Sequence, residues 1–397
     1  MAAVFIAPFY VAANVLIMLD CLHWLKTMIG FFKLRPVQIT FAVFFLFLMS
    51  SPVIAFLMPA GQAQRFMKSL GNLWMGIFLY LALFIVIGKL VGLILCLTHV
   101  SAKEVMRNGL GFRITGAAVL VCTVLVCVNG LTNAQNIKVT NYSVETAKSG
   151  GKLSGLKIVL ISDLHLGYNA GTAMMKQMVE KVNAQDPDII LCAGDVFDNE
   201  YEALDDPAEL EKILSGMKSR YGAYCVMGNH DIEEPILGGF TFPSSSSKVT
   251  DPRFIKFVKD SGMTLLSDES VLIDDSFYVV GRLDYEEPGN ETKTRKTETE
   301  LLSGLDTSKL LIDLEHEPRN LQQAADAGFD LDLAGHTHAG QVWPGTEIIK
   351  FFWQNAAGYL KVGNMHSIVT DGVGSFGPYM RTMCDAEICT VNVNFTG

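Results

Sequence analysis

The chain has 397 residues, a mass of 43.5 kDa and a mean hydropathy of +0.30, and half of its residues are hydrophobic. It is long enough for more than one folding unit and too apolar for an ordinary soluble protein. Its charge is unevenly divided: the first 137 residues carry nine basic and two acidic side chains, the rest 22 and 39. The acidic remainder excludes a general nucleic-acid binder, since phosphate backbones need basic partners, and it suits a site that gathers divalent cations.

In chain order, four apolar runs come first. No charge interrupts Met1 to Leu19, Pro36 to Ala63, Leu70 to Gly88 (apolar on to Val100 beyond Lys89) or Ile114 to Ile137. Each is long enough to cross a hydrocarbon core as a helix, which takes about 20 residues. Buried helices of soluble proteins keep a polar face, and stretches such as "FAVFFLFL" have none. The first run lacks a basic start and a small-residue cleavage pattern before Asp20, so it reads as retained rather than as a signal peptide. Lys26, Lys33 and Arg35 follow the first run, and Lys103, Arg107 and Arg113 precede the fourth. Positive loops stay in the cytoplasm, which predicts both termini outside, a plasma-membrane location and an extracytoplasmic soluble part. Asp20 and Lys89 read as interfacial, snorkelling side chains, with an intramembrane role as the alternative.

The pattern changes near Asn136, giving a transmembrane region over 1–135 and a soluble domain over 136–397. "NIKVTNYSVET" reads as a strand and "AKSGGKLSG" as a turn. Strand-like runs then alternate with helical ones: "LKIVLISD", "AMMKQMVEKVNAQ", "PDIILCAGD", "DDPAELEKILSGMKSR", "YGAYCVMGNHD", and later "FYVVGR", "SKLLIDLEHEP", "EPRNLQQAADAG", "FDLDLAGHTH", "HSIVTDG" and "AEICTVNVNF". Such alternation implies a layered α/β domain whose strands feed loops at one sheet edge, where ligands bind. Cys192 and Cys225 fall in strand-like stretches, and Cys384 with Cys389 could close an exterior disulfide.

The predicted strand ends carry the chemistry. They supply Asp163 and His165 ("SDLHLG"), Asp195 and Asp198 ("GDVFD"), and Asn229, His230 and Asp231 ("GNHD"). His316 ("DLEHEP") and the pair His336 and His338 ("GHTHAGQ") complete the set. Five of the eight histidines thus sit where a strand runs into a loop. Each alone is an ordinary turn or capping residue; together, carboxylates and imidazoles at five ordered strand ends mean a metal site. Oxygen and nitrogen donors without thiolate favour manganese, iron or zinc. A carboxylate shared between two ions suits in-line displacement at phosphorus.

These segments resemble the five-motif signature of the calcineurin-like metallophosphoesterases, and "ISDLHLG" and "GHTHAGQ" resemble its membrane-associated bacterial branch. The resemblance covers about residues 136–397. It implies a two-sheet β sandwich flanked by helices around two divalent metal ions. Carried over by motif, Asp163, His165 and His338 are expected to hold one ion, and Asn229, His316 and His336 the other. Asp195 would bridge them. His230 would be the catalytic, non-ligand histidine, Asp231 would orient it, and Asp198 would support a ligand without binding metal. A metal-bridging hydroxide would be the nucleophile.

The expected function is therefore a membrane-anchored phosphohydrolase acting on a phosphodiester or pyrophosphate, with a membrane sensor or transporter carrying a regulatory esterase-like domain as the alternative. Protein phosphatases of this superfamily have an Arg after Gly-Asp-x-x-Asp and Glu after Gly-Asn-His; here Asn199 and Asp231 stand there. That disfavours a phosphoprotein substrate. The lack of a linker after the fourth run points to a lipid-linked phosphoester at the headgroup level. "EEPILGGFTFPSSSS", Glu233 to Ser247, reads as an apolar lid, and Arg381 in "GPYMRT" as a substrate-binding residue.

Overall fold

The computed structural model describes residues 2–59, 61–98, 108–234, 236–237, 240–241, 249–289 and 294–397. Two compact units form. One comprises Met1–Leu131, Ile236–Phe242 and Gly377–Met380; the other comprises Thr132–Pro235, Pro243–Phe376 and Arg381–Gly397.

The first unit is built on helices α1 (Ala2–Met28), α2 (Arg35–Leu57), α3 (Gln62–Leu97) and α4 (Leu110–Gln135), all long and apolar enough to cross a membrane. Ile17, Phe45 and Trp74 are buried between them, with the Phe45 and Trp74 rings edge to face at 4.9 Å. Gly71 lets α3 approach Pro52 of α2, where a Cβ would lie 3.1 Å from backbone; small residues allow such close packing in lipid. The 36 residues of α3 reach about 54 Å at 1.5 Å per residue, well beyond the hydrocarbon thickness. Arg65 and Lys68, which separate the second and third uncharged runs, ride on its first turns, and only 58–61 separate α2 from α3. Lys103 and Arg107 lie outside the described residues. Asp20 and Lys89 form an ion pair between α1 and α3.

The second unit runs β1 (Lys138–Thr146), β2 (Gly155–Ile161), α5 (Thr172–Ala184), β3 (Ile189–Ala193), α6 (Pro207–Leu214) and β4 (Ala223–Val226). A two-stranded hairpin, β5 (Ile236–Leu237) and β6 (Phe240–Thr241), belongs to the helical unit instead. It is all that is described of Glu233–Ser247 besides Glu233 and Glu234; the rest of that segment lies outside the described residues. The chain continues through α7 (Pro252–Asp260), β7 (Met263–Leu265), β8 (Glu269–Ile273), β9 (Phe277–Gly281), α8 (Glu298–Leu302), β10 (Leu310–Leu314) and α9 (Leu321–Ala327). It ends with β11 (Leu331–Ala334), α10 (Gly345–Ile348), β12 (Gly358–Val362), β13 (Met365–Val369) and β14 (Glu387–Phe395).

Two six-stranded sheets result, ordered β1-β14-β2-β3-β4-β7 and β12-β13-β11-β10-β9-β8. Strands β2, β3, β4 and β7 are parallel in the first, and β13, β11, β10 and β9 in the second. Side chains alternate across each strand, so Ile158, Leu160, Ile189 and Leu191 face the inner core with Phe277, Val279, Ile312, Leu331 and Ile368. Val159, Ile161, Ile190 and Cys192 point outward beneath helices α5 to α7. Leu311 and Val280 do the same under α8 and α9. This is the two-sheet sandwich flanked by helices that the resemblance implies. The disulfide expectation fails: all eight cysteines are free thiols. Buried Cys384 donates to the Gln341 carbonyl and buried Cys389 to Glu387 instead.

Candidate metal centre

All the predicted donors leave the carboxyl ends of parallel strands: Asp163 and His165 after β2, Asp195 after β3, Asn229 after β4, His316 after β10, and His336 and His338 after β11. The turns are sharp. Asp163, His165, Asp195, His336 and His338 all hold positive φ angles between 42° and 71°, a strained region for residues with a Cβ. Gly335 and Gly228 keep the site open. A Cβ on the first would overlap Asp163, and one on the second would overlap Asp195.

Two donor groups form. In the first, His165 Nε2 lies 2.9 Å from His338 Nε2, and His338 Nε2 lies 3.3 Å from Asp163 Oδ1. In the second, Asn229 Oδ1 is 2.9 Å from His336 Nδ1 and 3.1 Å from His316 Nε2. Asp195 stands between them, its Oδ2 3.1 Å from His316 Nε2 and 3.7 Å from His165 Nε2. Lone-pair atoms facing one another at such distances repel unless a proton or cation sits among them. Ligand atoms about 3 Å apart are what metal–ligand bonds of about 2.0–2.2 Å require. The donor set fits hard to borderline divalent metal.

The surroundings orient these ligands. His316 Nδ1 donates to the Ala193 carbonyl at 2.7 Å, which frees Nε2 as a donor to metal. Asp163 accepts the His336 amide at 3.1 Å, and Asp195 accepts the His230 amide at 2.8 Å. Burial alone would depress the His316 imidazole, but Asp195 beside it, with Asp163 and Asp284, holds it well above its ordinary value. Asp163, His165, Asp195 and His316 are fully buried, whereas Asn229, His230 and His336 are half-buried and mark the accessible side.

Two expectations change. Asp231 does not orient the His230 ring; its carboxylate accepts the Phe197 and Gly228 amides at 2.9 and 2.7 Å and ties two metal-bearing loops together. Instead, His230 Nδ1 pairs with Asn199 Oδ1, and the ring packs on Phe376 with centroids 4.4 Å apart. Burial pushes this imidazole down to about 4. Asn199 was visible in the sequence only as the residue replacing an Arg. Phe376 had no local signal. Arg381 is wholly buried and spent inside the protein: its guanidinium donates to the Gly374 and Asp385 carbonyls and lies 3.0 Å from His338 Nδ1. Asp198 Oδ1 sits 3.6 Å from His165 Nδ1, and Asp198, His165 and His230 together form a further grouping close enough to share an ion.

Behind β10 lies a second buried ionic cluster that sequence reading missed. Arg282, 1% exposed, faces Glu298 at 2.8 Å, Glu315 at 3.3 Å and Asp313 at 3.4 Å. Arg295 adds a contact to Glu315 at 3.1 Å. Asp332 pairs across the sheet with Asp313 and accepts from Ser367 at 2.6 Å.

Comparison with known proteins follows the same lines. Residues 156–340 match the family model described as calcineurin-like phosphoesterase. A transmembrane protein with metallophosphoesterase domain from Danio rerio is 32% identical over 73% of this chain. The chain spans 65% of that protein's length. An uncharacterized metallophosphoesterase from Aquifex aeolicus is 27% identical over 66% of the chain and 93% of its own length. The UDP-2,3-diacylglucosamine pyrophosphatase LpxG of Chlamydia trachomatis is 25% identical over 52% of the chain and 72% of its own length.

Proposed function

We propose that this chain, which carries a calcineurin-like phosphoesterase domain, is a membrane-anchored, metal-dependent phosphohydrolase that cleaves a phosphodiester or pyrophosphate bond in a lipid-linked substrate. The observation that carries the reading is the pair of donor groups joined at Asp195. The lipid-linked substrate draws support from the apolar helices and from the Chlamydia relative, whose name is that of a pyrophosphatase acting on a diacylated sugar nucleotide.

Asp163, His165 and His338 would hold one ion and Asn229, His316 and His336 the other, with Asp195 shared. Manganese, iron and zinc suit this oxygen and nitrogen set. When bound, the ions would supply an acidified water and neutralise charge on the phosphoryl group. The protein's own part falls to the half-buried His230. Its Nδ1–H donates to Asn199, which leaves Nε2 for the substrate. Phosphoryl charge counters the burial that keeps the ring neutral, so Nε2 takes a proton from solvent when substrate binds and passes it to the leaving oxygen, returning the ring to its neutral form. Asp231 and Asp198 hold the loops and His165 in place. The basic residues that flank the helices put the phosphoesterase domain on the outer face of the plasma membrane, and Glu233–Ser247 acts as a lid for the apolar part of the substrate.

The test is a substrate panel on the metal-loaded full chain, comparing aryl phosphomonoesters, aryl phosphodiesters and diacylated nucleotide pyrophosphates, with Asp195→Asn as control. Turnover of the last two that vanishes in the control is the expected result. Turnover of none under any metal overturns the proposal.

A further inference from the structure

Within the helical bundle lies a cavity of about 390 Å³, in the size range of small-ligand sites. Its walls are apolar: Phe41 and Phe45 from α2, Leu81 from α3, and Leu120 from α4 are among them. Two charges also line it, the paired Asp20 of α1 and Lys89 of α3. An ion pair in lipid is costly, and such residues mark functional sites by default.

Its depth follows from the helices. Asp20 is eight residues from the end of α1 at Met28, and Lys89 eight from the end of α3 at Leu97. At 1.5 Å per residue both charges lie about 12 Å from those ends. The same end of the bundle bears Lys26, Lys33, Arg35 and Arg113, and Trp24 bridges α1 to α4 there by donating to the Arg113 carbonyl at 3.1 Å. The cavity takes residues 112–120 of α4, its N-terminal part, and so occupies the half of the bundle opposite the exit of α4 at Gln135. Among the described residues Asp20 is the only partner of the Lys89 ammonium, which can donate three hydrogen bonds; its side chain remains 57% exposed.

We infer that this cavity binds one anionic glycerophospholipid, an acyl chain filling the apolar part and the phosphate accepting from Lys89 beneath the basic ends of α1 and α4. Charge complementarity selects this occupant. The pocket is apolar where a chain would lie, and the end above it carries four cations among the described residues. The Asp20 carboxylate aims the Lys89 ammonium along the wall before the lipid arrives. Phospholipid binding here is separate from hydrolysis and does not rest on the proposed activity.

The experiment uses the full chain in nanodiscs holding equal amounts of dioleoylphosphatidylglycerol and dioleoylphosphatidylcholine, with native mass spectrometry after release. One phosphatidylglycerol per chain is expected, favoured about tenfold over phosphatidylcholine, as one or two basic contacts imply. Leu81→Trp and Leu120→Trp, which fill the cavity, should abolish retention. The double variant Asp20→Asn, Lys89→Met should retain lipid without the preference. Should the filling variants not fold, a phosphatidylglycerol with a diazirine in its acyl chain should label wild-type peptides containing Leu81 or Leu120. Equal retention of both lipids, retention untouched by filling, labelling elsewhere, or a dimer that covers the cavity each overturns the inference. Asp195→Asn should hold the lipid as wild type does, so failure of the hydrolase reading and failure of this one are told apart.

Discussion

Replacing Arg282 by Met tests whether the buried cluster behind His316 is held by charge. The guanidinium is 1% exposed and faces three carboxylates within 3.4 Å. Even with Arg282 in place, burial raises Asp313 to about 7 and Glu315 and Asp332 to about 8. Removing one partner of a buried ionic group costs about 3–5 kcal/mol, because the charges left behind lose their compensation. For a domain of this size about 1 kcal/mol shifts Tm by about 2–4 °C, so the melting point should fall by about 6–20 °C at pH 8. The cost should shrink toward pH 5, where the orphaned carboxyls take up protons and stop needing a counter-charge. Thermal unfolding of the full chain in detergent at both pH values reads this out. A loss of less than about 2 °C, or one equal at pH 5 and pH 8, would refute the electrostatic account and leave Arg282 a packing residue.

The other expectations follow from the same geometry. Asp195→Asn should lower bound metal from two ions to one or none per chain by elemental analysis while leaving the circular dichroism unchanged; two ions retained would remove Asp195 from its shared position. Asn199→Ala frees the His230 ring and should lower kcat by about 10–100-fold, the usual cost of losing an orienting partner, with metal content intact. Asp332 is protonated in the folded protein up to about 8 but ionises near 4 when unfolded, so stability should fall as pH rises between those values. In Asp332→Asn that slope should flatten, and an unchanged slope would place the titration elsewhere. Phe240→Ser with Phe242→Ser should weaken turnover of a diacylated substrate and spare a small aryl diester; equal losses on both would rule out a lid.

The metal centre was legible because its information is local. Each donor sits within a few residues of a strand end, so the order of motifs such as "SDLHLG" and "GHTHAGQ" carries the arrangement without any knowledge of pairing. What escaped depends on pairing. Asp313 meets Asp332 only because β10 lies beside β11, and Arg282 reaches both Glu298 and Glu315 only because β9 flanks β10. Asn199 and Phe376 approach His230 across 31 and 146 positions of sequence, a distance no spacing rule spans. Helix α7 is a different kind of miss. Asp251 caps it, Pro252 opens it, and Phe254, Phe257 and Val258 are its buried face, all readable in "DPRFIKFVKD". The extent of α3 was masked by reading apolar runs that stop at Ala63 and resume at Leu70, although charged residues such as Arg65 and Lys68 continue a helix readily once it has left the hydrocarbon. The Arg381 expectation failed because a guanidinium near a site can equally be consumed by carbonyls, and the chain gives no local sign of which.

The left-handed backbone at five of the seven donors has a bearing on cation choice. Those conformations stand at the ends of strands whose core side chains are buried, so the fold itself gathers the donors. Oxygen and nitrogen donors without thiolate accept several first-row divalent ions, so affinity alone does not choose among them. Identity then follows supply, and the element recovered with the protein becomes a record of the compartment in which the chain matured.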